Sequence, residues 1–122
     1  MSIRQRTEDI VEHIRQGKVL EAFEKHYADD CVMQENRNDP VRGKHANRER
    51  EKQFLASVKE WKGFEVIALG ADSDTDDGTT FLEVAFDFIN HQDQHVRYEQ
   101  VAVQTWKNGK IVNERFYYDT AG

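Results

Sequence analysis

Residues 81–119, FLEVAFDFINHQDQHVRYEQVAVQTWKNGKIVNERFYYD, decide the fold. They hold three extended runs, separated by turn segments at His91–Gln94 and Lys107–Gly109. Successive side chains of a strand point to opposite faces. In the first run Leu82, Val84, Phe86 and Phe88 share one face, and Phe81, Glu83, Ala85 and Asp87 share the other. The second run opposes Arg97, Glu99, Val101 and Val103 to Tyr98, Gln100, Ala102 and Gln104. The third opposes Ile111, Asn113, Arg115 and Tyr117 to Val112, Glu114, Phe116 and Tyr118. A sheet wetted on one side alternates cleanly between apolar and polar. Here both faces are largely apolar, and one carries acids and amides among Phe, Ala and Tyr. Burying such carboxylates is costly unless they are paired or used. That face is the main functional lead.

Upstream, Ile3, Ile10, Val11 and Ile14 recur at helical spacing, and Gly17 closes the helix. A second, short helix carries Leu20, Phe23 and Tyr27 and is expected to end around Ala28–Asp30. Cys31 to Glu35 is a short strand, and Asn36 to Gly43 a loop marked by Pro40 and Gly43. A third helix is expected from Lys44 to Glu60, with Phe54, Leu55, Val58 and Trp61 as its buried stripe, followed by a strand from Phe64 to Leu69. Helices first and a curved antiparallel meander afterwards give an α+β domain spanning residues 1–122, its helices covering one sheet face.

Register decides which side chains meet. A turn centred on Gln92-Asp93 places Ala85 opposite Gln100 and Glu83 opposite Ala102. The next turn admits two forms: a two-residue Asn108-Gly109 loop, or a three-residue Lys107-Asn108-Gly109 loop. They differ by one residue and so exchange the faces of the last strand. The three-residue form puts Ala102 opposite Glu114, Gln100 opposite Phe116 and Tyr98 opposite Tyr118. Glu83 and Glu114 would then flank Ala102.

The 122 residues carry a net charge of −6, which argues against a general nucleic-acid partner. The basic cluster Arg42, Lys44, His45, Arg48 and Arg50 falls in a helical stretch with Glu49 and Glu51 and reads as a solvated face. The charged opening MSIRQRTEDI has no apolar leader core, no apolar run approaches a membrane span, and Cys31 stands alone. A cytoplasmic location is the expectation. Asp72-Ser73-Asp74-Thr75-Asp76-Asp77-Gly78, with Glu83 twelfth, superficially matches a calcium loop, but Asp77 occupies the place of the required glycine. An acidic turn is the better reading. The five histidines show no metal-ligand spacing, so no metal or cofactor is expected.

Phe23…His26-Tyr27-Ala28-Asp29-Asp30-Cys31-Val32-Met33, the Pro40-Val41-Arg42-Gly43 loop, Trp106–Ile111 and Phe116-Tyr117-Tyr118-Asp119 together resemble the nuclear-transport-factor-two-like superfamily. Within it, the chain is similar to the SnoaL-like branch of polyketide cyclases and ketosteroid isomerases. The resemblance implies a cone-shaped roll, a curved and mainly antiparallel sheet wrapped around three helices. It also implies a cavity on the concave side and a convex face used for dimerisation. It places Tyr98, Gln100, Val112, Glu114, Phe116 and Tyr118 inside, which favours the three-residue turn. Glu35 falls where ketosteroid isomerase has its base, but the isomerase's oxyanion-hole acid corresponds to Ala102, and the first helix has no tyrosine. The catalytic positions of limonene epoxide hydrolase correspond to Glu83, Ala85 and Phe116. Neither set is intact, so neither reaction is inherited.

The expected acid–base constellation is Glu35, Glu83 and Glu114 with Gln100, because carboxylates sharing a dry site cannot all ionise. Tyr27, Met33, Phe54, Phe81, Tyr98, Phe116 and Tyr118 are expected to line the pocket. A structural charge network involving Arg97 or Arg115, or reversed faces, is the bland alternative. The expected partners are a small, largely apolar ligand and a second copy bound through Leu82, Val84, Phe86, Val101 and Val103. The leading function is cofactor-free isomerisation, cyclisation or dehydration; a ligand-binding or interaction module is the other reading.

Overall fold

Ser2 opens the first helix with a capping box. Its Oγ accepts from the Gln5 amide at 3.2 Å, and Gln5 Oε1 accepts from the Ser2 amide at 2.9 Å. The computed structural model describes residues 1–119. Helix α1 (Ile3–Arg15) buries Ile3, Thr7, Ile10 and Val11 on one face. Helix α2 (Val19–His26) buries Ala22, Phe23 and His26. The two are clasped by Asp9, whose Oδ2 lies 2.7 Å from His26 Nε2 and 2.9 Å from Lys25 Nζ. Those partners, Lys25 first, hold the Asp9 carboxyl at about 2.

Strand β1 (Tyr27–Glu35) begins four residues earlier than expected, so Tyr27 starts a strand instead of closing a helix. A two-residue strand β2 (Val41–Arg42) lies in the segment expected as loop. Asn47 ties it to helix α3 (Lys44–Ser57), its Nδ2 donating to the Val41 and Gly43 carbonyls at 3.0 and 2.9 Å. That helix stops before Val58 and Trp61, which belong to the long strand β3 (Val58–Ala71). Strands β4 (Gly78–Asn90), β5 (His95–Lys107) and β6 (Lys110–Tyr117) complete a six-stranded sheet in the order β2-β1-β6-β5-β4-β3. Only β1 and β6 run parallel. The sheet curls around the three helices as an α+β roll.

Both late hairpins differ from expectation, with different consequences. Asn90 Oδ1 accepts from the Gln92 and Gln94 amides at 3.0 and 2.9 Å, and Asp93 takes φ 61°. This local side-chain turn makes His91-Gln92-Asp93 a three-residue loop, so Phe88 faces Val96 and Glu83 faces Val101. The displacement is odd, and it exchanges the faces of β4. Leu82, Val84 and Phe86, expected on a dimer face, are buried on the concave side. Glu83 and Phe81, expected in the pocket, lie on the outer face; Phe81 is 45% exposed.

The β5–β6 turn is the two-residue form, with Asn108 at φ 52° and Gly109 at φ 74°. Alone it would expose Glu114. A bulge corrects this: Trp106 faces Ile111 but Thr105 faces Asn113, leaving Val112 as the extra residue. The resulting register sets Gln104 opposite Glu114 and Ala102 opposite Phe116. The displacement from the expected pairing is two residues, and the inward set Tyr98, Gln100, Glu114 and Phe116 is preserved.

Two apolar clusters form. One joins α1, α2, β1, β5 and β6 through Ile3, Phe23, Met33, Trp106 and Ile111; the other holds Val11, Leu82, Val84, Phe86 and Phe88. Ile14 and Phe116 pack against both. The acidic turn between β3 and β4 is held by backbone amides: Asp72 Oδ1 accepts from the Thr79 amide at the start of β4 at 2.7 Å, and Asp77 Oδ1 from the Asn108 amide of the β5–β6 turn at 2.7 Å.

Candidate functional site

Between the concave sheet face and the three helices lies a cavity of about 160 Å³. Its walls are mostly apolar, with Ile10, Phe23 and Met33 on one side and Phe54, Leu82, Val84 and Phe86 on the other. Eight polar side chains interrupt them: Tyr27, Glu35, Arg50, Glu51, Tyr98, Gln100, Gln104 and Glu114.

Glu114, 2% exposed, anchors the site. The Tyr27 hydroxyl donates to its Oε1, and Gln104 Nε2 donates to Oε2 at 2.7 Å. Donor chemistry fixes the direction of this network. The Trp106 indole N–H can only donate, and it reaches Thr80 Oγ1 at 2.8 Å. Thr80 passes its own hydrogen to Gln104 Oε1 at 2.7 Å, which turns the Gln104 amide nitrogen toward Glu114. Glu114 Oε2 is therefore held as an acceptor. A proton taken up by this carboxyl is confined to Oε1, the oxygen facing Tyr27. Thr80, Gln104 and Trp106 are all buried, so the relay is shielded from water.

Burial pushes the Glu114 carboxyl up to about 7 against the opposing pull of its Tyr27 and Gln104 donors, and Glu51 adds to the rise. Glu51, on the inward face of α3, is also raised to about 7, by burial first; adjacent Arg50 opposes the rise and Glu35 adds to it. Burial and then Glu114 drive the Tyr27 phenol well above its usual range. Tyr98 is raised by burial, Glu51 and Glu35. Glu35 sits in an ion pair, its Oε2 3.0 Å from Arg50 Nη2.

The structure thus brings Glu35, Gln100, Glu114, Tyr27, Met33, Phe54, Tyr98 and Phe116 to one cavity. Tyr118 stands beside it, its ring 6.3 Å from that of Tyr98. Glu83 and Phe81 are not in the wall: the odd hairpin loop turns them outward, and Glu83 lies between Ala68 and Val101 on the outer face. From sequence, Arg50 and Glu51 read as part of a solvated helix face, and Gln104 carries no site role. Gln104 shares the alternation of Tyr98 and Gln100 and was reachable by parity. Glu51 was hidden in the charge run Arg48–Lys52, although its spacing from Asn47 and Phe54 marks one helical face.

A curled sheet around three helices with a cavity between them defines the class, and the chain belongs to the SnoaL-like domain family, whose pattern matches residues 7–114. Among solved structures it is similar to a Mesorhizobium loti protein described as a SnoaL-like polyketide cyclase, with carbohydrate phosphatase as a second description. The two are 29% identical with a TM-score of 0.72, over 97% of this chain and 100% of that one. A nuclear transport factor 2-like protein of unknown function from Burkholderia pseudomallei gives a TM-score of 0.80 at 13% identity, over 99% and 94% of the two chains. A Pseudomonas putida protein described as a polyketide cyclase gives 0.76 at 14%, over 98% and 93%. At those identities the last two speak for the fold alone. No curated protein matches the chain.

Proposed function

We propose that the chain is a cofactor-free acid–base catalyst acting on a small, largely apolar molecule by isomerisation, cyclisation or dehydration. The observation that carries this reading is Glu114: a buried carboxyl lining the cavity, which burial raises to about 7. A general acid or base works best when its pKa lies near the operating pH. The network adds a route. When Glu114 holds its proton on Oε1, the Tyr27 oxygen accepts it, and the Tyr27 hydrogen is free to turn to a ligand oxygen. When Glu114 is ionised, the pair receives a proton instead. Gln100 and Tyr98 supply further polar contacts, and the aromatic walls exclude water. A cavity of about 160 Å³ is close in size to one that holds a single benzene ring, roughly 150 Å³, so the substrate is about one ring in size.

Deuterium exchange at the carbons next to the carbonyl of cyclohexanone, followed by NMR in D2O, tests the chemistry without knowledge of the natural substrate. The protein is expected to accelerate exchange, and Glu114→Gln to lower that acceleration by about tenfold or more. Equal acceleration by both proteins would remove Glu114 from the reaction. A second reading, ligand binding without chemistry, is favoured by the occupation of both Glu114 oxygens and by the Glu35–Arg50 pair. It predicts cyclohexanone binding with no exchange above background.

For the expected homodimer the candidate contact is the outer sheet face, since Leu82, Val84 and Phe86 are buried on the concave side. There Phe81, Val103 and Arg115 form one cross-strand row and Glu83, Val101 and Tyr117 the next. Phe81 and Tyr117 are 45% and 43% exposed, an apolar surface suited to a second copy. Val101→Lys is expected to turn a sedimenting dimer into a folded monomer. A variant that remains dimeric would place the contact elsewhere.

A further inference from the structure

Three carboxylates face the cavity, Glu35, Glu51 and Glu114, against one guanidinium, Arg50. Arg50 is committed to Glu35 at 3.0 Å. Glu114 is held on both oxygens by Tyr27 and Gln104. Glu51 differs from both. Among the described residues, no side chain hydrogen-bonds or ion-pairs with it, although it lines the cavity beside Phe54. The remaining titratable groups nearby are phenols and a thiol: Tyr27, Tyr98, Tyr118 and Cys31, each held in its neutral form by burial. Among the described residues, no uncommitted cation therefore answers Glu51. The same cavity is lined by a packed set of rings, with centroids 6.3 Å apart for Phe54–Phe86, 5.2 Å for Phe86–Tyr98 and 6.4 Å for Phe54–Tyr98. Ring faces attract cations, most strongly where water is excluded.

Resting on the reading of this cavity as a small-molecule site, we infer that its ligand is an organic ammonium about one ring in size. Its N–H groups meet Glu51, and its apolar body lies against Phe54, Phe86 and Tyr98. The same arrangement rejects anions, because a carboxylate or phosphate would face three acids and no uncommitted cation. Glu114 remains with Tyr27 and Gln104 and keeps its acid–base role. Ammonium binding requires the ionised form of Glu51, which burial holds near 7, so binding at lower pH displaces a proton. Affinity falls by about tenfold for each pH unit below that value.

Three probes of equal size separate the possibilities: benzylamine, benzyl alcohol and benzoate, each titrated into the full chain by calorimetry at pH 8 and pH 6. Benzylamine is expected to bind about tenfold or more tighter than benzyl alcohol at pH 8, through a charge-assisted hydrogen bond and ring contacts. Benzoate is expected not to bind. At pH 6 the amine's advantage shrinks by about tenfold, with proton release visible as a dependence on buffer ionisation enthalpy. Glu51→Gln makes amine and alcohol equal while alcohol affinity persists, and Glu51→Asp, which keeps the charge, retains the preference. Equal affinities in the parent chain, tighter benzoate binding, or an undiminished preference in Glu51→Gln would overturn the inference. Alcohol binding without an amine preference would do so while leaving the cavity reading intact. No binding by any probe, with the NMR signals of Phe54 and Tyr98 unmoved, would overturn both.

Discussion

Glu114→Gln is expected to gain stability relative to the parent chain as pH rises, by up to about 3 kcal/mol between pH 4.5 and pH 8. In the unfolded chain this carboxyl ionises near 4.5; in the fold it does so near 7. Burial penalises the charge by more than the Tyr27 and Gln104 donors favour it. Below pH 4.5 both states are protonated, and Glu114 contributes nothing to the pH dependence. Between about 4.5 and 7 the unfolded chain loses its proton first, so the fold gives up stability steadily; above 7 the loss is complete and constant. Glutamine has no proton to lose. The variant carries instead a pH-independent cost, because its amide would meet the Gln104 amide and the donor chain from Trp106 would have to reverse. Urea denaturation of both proteins across this range isolates the difference, since Asp9, His26 and Glu51 titrate in each. Parallel stability curves would show that Glu114 ionises normally.

Gln104→Leu is expected to cost about 2–4 kcal/mol, and to cost more at pH 8 than at pH 5. Leucine fills most of the volume but removes the donor to Glu114 Oε2 and the acceptor for the Thr80 hydroxyl, both buried. Loss of a donor that favours the ionised form drives the Glu114 carboxyl still higher, so the penalty grows where that group must ionise. Thermal or urea unfolding at the two pH values measures it. A pH-independent loss would show that Gln104 only packs. If the variant fails to fold at pH 8, recovery at pH 5 is the diagnostic result.

How much of this was legible in the sequence depended on parity. The three helices (apart from the end of the third), strand β1 before that helix, the four strands after it and the inward set Tyr98, Gln100, Glu114 and Phe116 followed from periodicity and from the resemblance. The pairing within that set did not, because Asn108-Gly109 suits two turns and the bulge at Val112 leaves no mark on the alternation. The face of β4 was lost at Asp93. A glycine in the left-handed region announces itself; an aspartate adopting φ 61° beside an Asn90 side-chain turn does not. One unseen residue in that loop moved Glu83 out of the candidate site and Leu82, Val84 and Phe86 into the core. Glu51 was missed for a different reason. Alternating charge along a helix ordinarily means solvent, and only the tertiary placement of α3 over the sheet turns one of those charges into a cavity group.

The bulge at Val112 also bears on how such a chain can change length. A two-residue turn and one extra strand residue act as compensating frameshifts in the alternation of side chains. Insertion or deletion of a single residue at either place would turn Glu114 and Phe116 outward and bring Asn113 and Arg115 in. Relatives that differ in length at this hairpin should therefore differ by two residues, or by one with a bulge gained or lost in concert. The cavity constrains the spacing of this hairpin as firmly as it constrains the residues lining its walls.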